Sequence, residues 1–135
     1  MNKRRENNPR QELTKAELEI MQILWEKGEA FVNEIVDEMP EPKPAYNTVS
    51  TIVRILEKKG VVGYKAFGRS HRYFPLVGKE EYTYGFMQNV MNNFFDNSVA
   101  SMFSFFTSKE NLSLKEIEQI MEMARRAIVE KKEKV

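Results

Sequence analysis

Three prolines within five residues, Pro40, Pro42 and Pro44, forbid a helix across Pro40-Glu41-Pro42-Lys43-Pro44. Each fixes its own backbone angle, offers no N–H donor and biases the residue before it toward extended geometry. The chain must turn here, between two separate elements. Upstream, Thr14-Lys15-Ala16-Glu17 reads as a capping box, in which Thr14 caps the Glu17 amide and the Glu17 carboxylate reaches back to Thr14. Leu13 and Leu18 flank it as a hydrophobic staple, and Leu18, Met21, Leu24 and Trp25 continue one apolar face until Gly28 stops the helix. A second, short helix is expected from about Phe31 to Met39, with Phe31, Val32, Ile35, Val36 and Met39 mostly on one side.

Downstream of the prolines, a third helix is expected from about Ala45 to Lys59. Val49, Ile52, Val53 and Leu56 are spaced for burial, Ser50, Thr51, Arg54 and Lys58 fall toward the other side, and Gly60 ends it. Val61 to Phe67 and His71 to Leu76 are rich in valine and aromatics, with Gly68-Arg69-Ser70 as the turn of a β-hairpin. Three helices and a hairpin in this order make a winged helix-turn-helix: the third helix enters the major groove and the hairpin is the wing.

After Gly78 the character changes to helices at about Glu80 to Asn97, Val99 to Thr107 and Leu114 to Lys131. Ser113-Leu114-Lys115-Glu116 is a second capping box, and Leu114, Ile117, Met121, Ala124 and Ile128 repeat by three and four, a seam suited to a partner helix. So small a helical piece can bury only part of its phenylalanines and methionines, which points to a homodimer. Its expected dimer residues are Phe86, Met91, Phe94, Phe95, Phe103, Leu114, Ile117, Met121 and Ile128. The fold class read from the sequence is mainly α with a small β-hairpin wing. Its expected parts are a flexible tail over 1–12, a winged helix domain over 13–77 and a helical dimerisation domain over 78–135.

The formal net charge is only +1, but it conceals a segregation along the chain. From Glu6 to Glu41 ten acidic residues face three basic ones, a balance of −7. From Lys43 to Arg72 seven basic residues (Lys43, Arg54, Lys58, Lys59, Lys65, Arg69, Arg72) face Glu57 alone, a balance of +6. That is a local footprint for phosphate. With no cysteine and one histidine, His71, neither a metal nor another cofactor is expected. The basic start has no apolar core behind it and no stretch approaches a membrane span, so a cytoplasmic protein without membrane insertion is expected.

Ala45-Tyr46-Asn47-Thr48-Val49-Ser50-Thr51, running on to Glu57-Lys58-Lys59-Gly60, resembles the recognition-helix signature of the BlaI/MecI penicillinase-repressor family. Ala16-Glu17-Leu18-Glu19-Ile20-Met21 with Ile23-Leu24-Trp25 is similar to that family's opening, and Asn111-Leu112-Ser113 before an acidic helix to its closing segment. The resemblance implies a homodimeric repressor on a palindromic double-stranded DNA operator. In the best-known members, it further implies release when a membrane-embedded sensor protease triggers cleavage in the C-terminal helices. The family's cleaved Asn-Phe bond aligns near Phe105-Phe106, the possible cleavage region here. Many members carry arginine where this chain has Ile55, and Arg54 lies one residue, or roughly 100° of helix, away. The copper-responsive branch carries C-terminal cysteines, which this chain lacks.

Base reading is expected from Asn47, Ser50, Thr51 and Arg54, since asparagine bonds adenine bidentately and hydroxyls serve either base type. Tyr46 and Thr48 are expected to touch phosphate, although Asn47 or Thr48 could equally cap the helix after the prolines. Lys43, Lys58, Lys65, Arg69 and Arg72 would supply the sequence-independent grip, with Arg69 foremost at the wing tip. Lys59 beside Gly60 reads better as a complement to the helix C-terminus. Ser70-His71 does not read as a nucleophile and base, because adjacent strand residues point to opposite faces. No motif supports an enzyme, and a protein-interaction module that has lost DNA binding is the alternative to the repressor.

Overall fold

A computed structural model describes residues 12–109 and 111–134; the tail reading lies outside them except at Glu12. Helix α1 spans Lys15–Lys27 and begins on the expected capping box, with the Thr14 hydroxyl accepting from the Glu17 amide at 3.1 Å and Glu17 Oε1 accepting from the Thr14 amide at 3.0 Å. Gly28, at φ +89°, ends it as only glycine does without strain. Ile20, Met21 and Leu24 are fully buried on one face.

The second element differs from its sequence reading. Ala30–Phe31 form a two-residue strand, β1, and helix α2 covers only Val32–Asp37. Phe31 is therefore the residue before the helix, its N–H donating to Glu34 Oε1 at 2.9 Å, because its backbone pairs with Arg72 in the sheet. Beyond the prolines, helix α3 runs Tyr46–Lys58, buries Val49, Val53 and Leu56, and gives way at Gly60, φ +80°. Strands β2, Val62–Phe67, and β3, Ser70–Pro75, pair antiparallel, and β1 adds to the other side of β3 in the order β1-β3-β2. Ser70 pairs with Phe67, so the turn is Gly68-Arg69 alone; Gly68 supplies the positive φ, +64°, of a tight hairpin. The three helices and this sheet make a winged helix around one core, whose largest fully buried members include Ile20, Met21, Leu24, Ile35, Val49, Val53 and Leu56.

The N-terminal compact unit runs through Val90. Past Val77, helix α4 (Lys79–Phe94) contributes its first turns to that core. The Tyr82 hydroxyl accepts from the Leu13 amide at 3.0 Å, the Trp25 indole donates to the Val77 carbonyl at 2.8 Å, and the two rings lie 5.9 Å apart. Phe86 stacks on Tyr82 at 6.1 Å and packs against the same core, so this expected dimer residue is used within its own unit.

The second unit begins at Met91. Asp96 and Asn97 take positive φ after α4, and the Ser98 hydroxyl caps helix α5, Val99–Lys109, by accepting from the Ser101 amide at 3.0 Å. Helix α6, Leu114–Lys134, starts on the second capping box, with Ser113 and Glu116 bonded reciprocally at 2.9 and 3.1 Å. Phe95 meets Phe105 at 5.6 Å, but no described residue of α5 or α6 is buried. Among the described residues, no helix is long and apolar enough to cross a membrane.

Candidate nucleic-acid interface

Helix α3 starts without a side-chain cap. Ala45 is its N-cap, and its carbonyl accepts from the Thr48 and Val49 amides at 3.1 and 3.2 Å. Asn47 and Thr48 thus lie inside the first turn, and capping does not occupy them. With the core side of α3 set by Val49, Val53 and Leu56, the 100° step per residue turns Asn47, Thr51 and Lys58 straight outward. Thr48 and Ile55 flank them on one side and Arg54 on the other, and all six are exposed. Among the described residues, the side chains of Asn47, Thr48, Thr51, Arg54 and Lys58 make no hydrogen bond or ion pair with any other.

On the Arg54 side the helix faces the hairpin across a cleft of about 390 Å³. Tyr46, Ser50, Arg54 and Glu57 line its helix wall, Arg69, His71 and Tyr73 its hairpin wall, and Asn33 at the start of α2 closes one end. The His71 ring stacks on Tyr64 at 4.0 Å, which explains its presence as packing on the hairpin. Burial, then the nearby Glu57 carboxylate, raises the Tyr73 hydroxyl above its ordinary pKa of 10.0, so it stays protonated. Glu57 and Asn33 are members of this cleft that sequence reasoning missed; the helical step from Arg54 would have indicated Glu57, whereas nothing local indicates Asn33.

The seven cations of the basic segment do not converge. Arg54, Lys58 and Arg69 are exposed around the cleft and outer helix face. Lys65 and Arg72 are cross-strand partners, and alternation sends them to the face of the sheet opposite His71 and Tyr73. There Lys65 pairs with Glu29 at 3.4 Å, and the Arg72 guanidinium lies over the Phe31 ring at 5.5 Å. The Lys43 ammonium donates to the Asp37 and Met39 carbonyls at 2.9 and 2.7 Å, closing the end of α2. Lys59 does not complement its own helix end: its ammonium bonds both Glu17 oxygens at 2.9 and 3.0 Å and ties α3 to α1.

Comparison with known proteins finds sequence relatives described as repressors and regulators. The profile described as penicillinase repressor matches residues 13–126. The methicillin resistance regulatory protein MecI of Staphylococcus aureus (strain N315) is 32% identical over 115 residues, covering 84% of this chain and 94% of MecI. The penicillinase repressor of Bacillus licheniformis is 26% identical over 113 residues, covering 83% of this chain and 88% of that protein. Among solved structures, the solution structure of the DNA binding domain of the repressor BlaI aligns at 28% identity over 53% of this chain and 88% of that one, with a TM-score of 0.47. A chain from the complex structure of hsRosR-S4, at 13% identity, aligns over 91% of this chain and 96% of its own with a TM-score of 0.50, a likeness of fold.

Proposed function

The chain belongs to the penicillinase repressor family, and on that premise we propose that it represses transcription as a homodimer gripping a palindromic operator in duplex DNA. The observation that carries the proposal is the outer face of α3. Asn47, Thr51, Arg54 and Lys58 project from a helix anchored by its other face, and no described residue claims their polar groups. A helix so presented fits the major groove, where Asn47, Thr51 and Arg54 meet base edges. The cleft beside it suits the sugar-phosphate ridge between major and minor grooves, with Tyr46 and Arg69 as phosphate contacts there and Ser50 and Arg54 between the two roles, while Thr48 and Lys58, outside the cleft, meet phosphates from the exposed helix surface. Lys43 and Lys65 contribute through the general field, since their ammonium groups already have partners within the chain, and Arg72 does so from the face of the sheet turned away from the cleft.

The exposed apolar side chains of α5 and α6, Phe103, Leu114, Met121 and Ile128 among them, support pairing with a second copy. Two copies present two α3 helices to two half-sites. Phe105 and Phe106, both 54% exposed, lie within α5. Release by a protease pathway acting there requires that helix to unwind first, because a helical backbone is closed on its own hydrogen bonds.

The test is a salt titration on the duplex that the full chain enriches most from a random-sequence pool. Affinity is expected to fall steeply and linearly on a log–log plot. Arg69→Ala should weaken all duplexes alike and flatten the slope by about one, whereas Asn47→Ala should lose about 1–3 kcal/mol of discrimination at one base position. Salt-independent binding, or no enrichment, overturns the proposal and leaves a protein-interaction module.

A further inference from the structure

Ile55 sits where the fold gives an isoleucine nothing to do. It is 42% exposed on α3 and, unlike its neighbour Ile52, does not pack against the core. A β-branched residue there has lower helix propensity than lysine, glutamate or alanine, and it gains little burial in return. It stands one turn beyond Thr51 and two beyond Asn47; Thr51 and Lys58 neighbour it on the outer face at helical spacing, and Ile52, three residues before it, turns toward the core. Its side chain is left 42% exposed beside the outward-facing Thr51 and Lys58.

We propose that Ile55 is a specificity-determining residue that reads thymine, its side chain closing on the C5-methyl group in the major groove. This rests on the DNA-binding reading above and adds to it the base that the apolar position selects. The thymine methyl is the one apolar group that the major-groove edge presents, and water leaves both surfaces when an aliphatic side chain covers it. Hydrogen bonds from Asn47 and Thr51 would sort donors from acceptors. They cannot by themselves separate a methylated pyrimidine from an unmethylated one with the same donor and acceptor pattern.

The test uses the duplex selected by the full chain, synthesised once with thymine and once with uracil, which differs only in lacking the methyl. Wild type should bind the thymine duplex more tightly. Ile55→Ala should reduce that preference by about fourfold per contacted methyl while leaving affinity for the uracil duplex nearly unchanged, the size expected for losing burial of one methyl-sized group. Ile55→Val, which keeps a branched aliphatic tip, should retain most of the preference. If Ile55→Ala keeps the full thymine preference, or weakens both duplexes equally, the proposal is overturned although DNA binding stands. If wild type enriches no duplex, the DNA-binding reading falls and this proposal with it. Circular dichroism of the variants checks that α3 is intact, as expected for a substitution outside the core.

Discussion

Replacing Lys59 with methionine is expected to destabilise the N-terminal unit by about 2–3 kcal/mol near neutral pH, measured by urea denaturation followed through Trp25 fluorescence. Glu17 is only 4% exposed, and its carboxylate is held by the Lys59 ammonium and the Thr14 amide. Removing the ammonium leaves a buried carboxylate with one donor. Loss of one partner from a fully buried pair costs about 3–5 kcal/mol; the lower figure here reflects the quarter of the Lys59 side chain that water reaches, 25%. Adding Glu17→Gln to Lys59→Met removes the stranded charge and should restore part of the loss, a coupling that simple loss of packing would not produce.

The same pair fixes the direction of acid sensitivity. Burial alone would raise the Glu17 pKa, but the Thr14 amide and the Lys59 ammonium together outweigh it and hold the group below its ordinary 4.5. A carboxylate whose folded pKa is depressed contributes stability that is present above the unfolded value and lost as pH falls through the folded one. Wild type should therefore keep this contribution down to the mid-carboxylate range and lose it below. Without Lys59 one of the two influences that lower this pKa is gone, so the acid-labile contribution shrinks and Lys59→Met should lose less stability than wild type as pH falls through the carboxylate range, the gap between the two narrowing.

The second large effect is expected on cutting the chain after Val90. That cut retains the Leu13–Tyr82 and Trp25–Val77 bonds and the packing of Phe86, all of which belong to the winged unit, whereas a cut after Leu76 would remove them. The fragment should stay folded yet sediment as a monomer, since it lacks α5, α6 and their exposed Phe103, Leu114 and Ile128. Its affinity for the two-fold operator should drop by about 10²–10⁴, because the second half-site is no longer engaged intramolecularly. Sedimentation velocity and fluorescence anisotropy measure both quantities. A dimeric fragment, or one that binds as tightly as the full chain, would refute the role of the C-terminal helices.

What was legible in the sequence was local. The capping boxes at Thr14 and Ser113, the stop at Gly28, the turn at Gly68 and the periodicity of α3 each depend on residues within a few positions of one another, and each appears in the structure. Strand β1 was not legible, because two residues carry no period and Ala30–Phe31 is extended only through pairing with Tyr73 and Arg72. The basic segment was countable but not sortable. Its charge total could not reveal that Lys59 answers Glu17 from 42 residues away, that Lys43 closes α2, or that Lys65 and Arg72 turn from the cleft while Arg69 lines it. Strand alternation separates His71 and Tyr73 from Arg72, but only the burial of Tyr73 against the core decides which face looks toward α3.

The most direct test of the outer face of α3 as the reading surface is methylation interference on the selected duplex. Guanine N7 lies in the major groove, so a methyl placed there blocks an inserted helix but not a protein that holds only the backbone or minor groove. Two clusters of interference are expected, related by the two-fold axis and separated by one helical turn, about 34–36 Å, or a multiple of it. Binding that is indifferent to N7 methylation at every guanine would contradict insertion of α3.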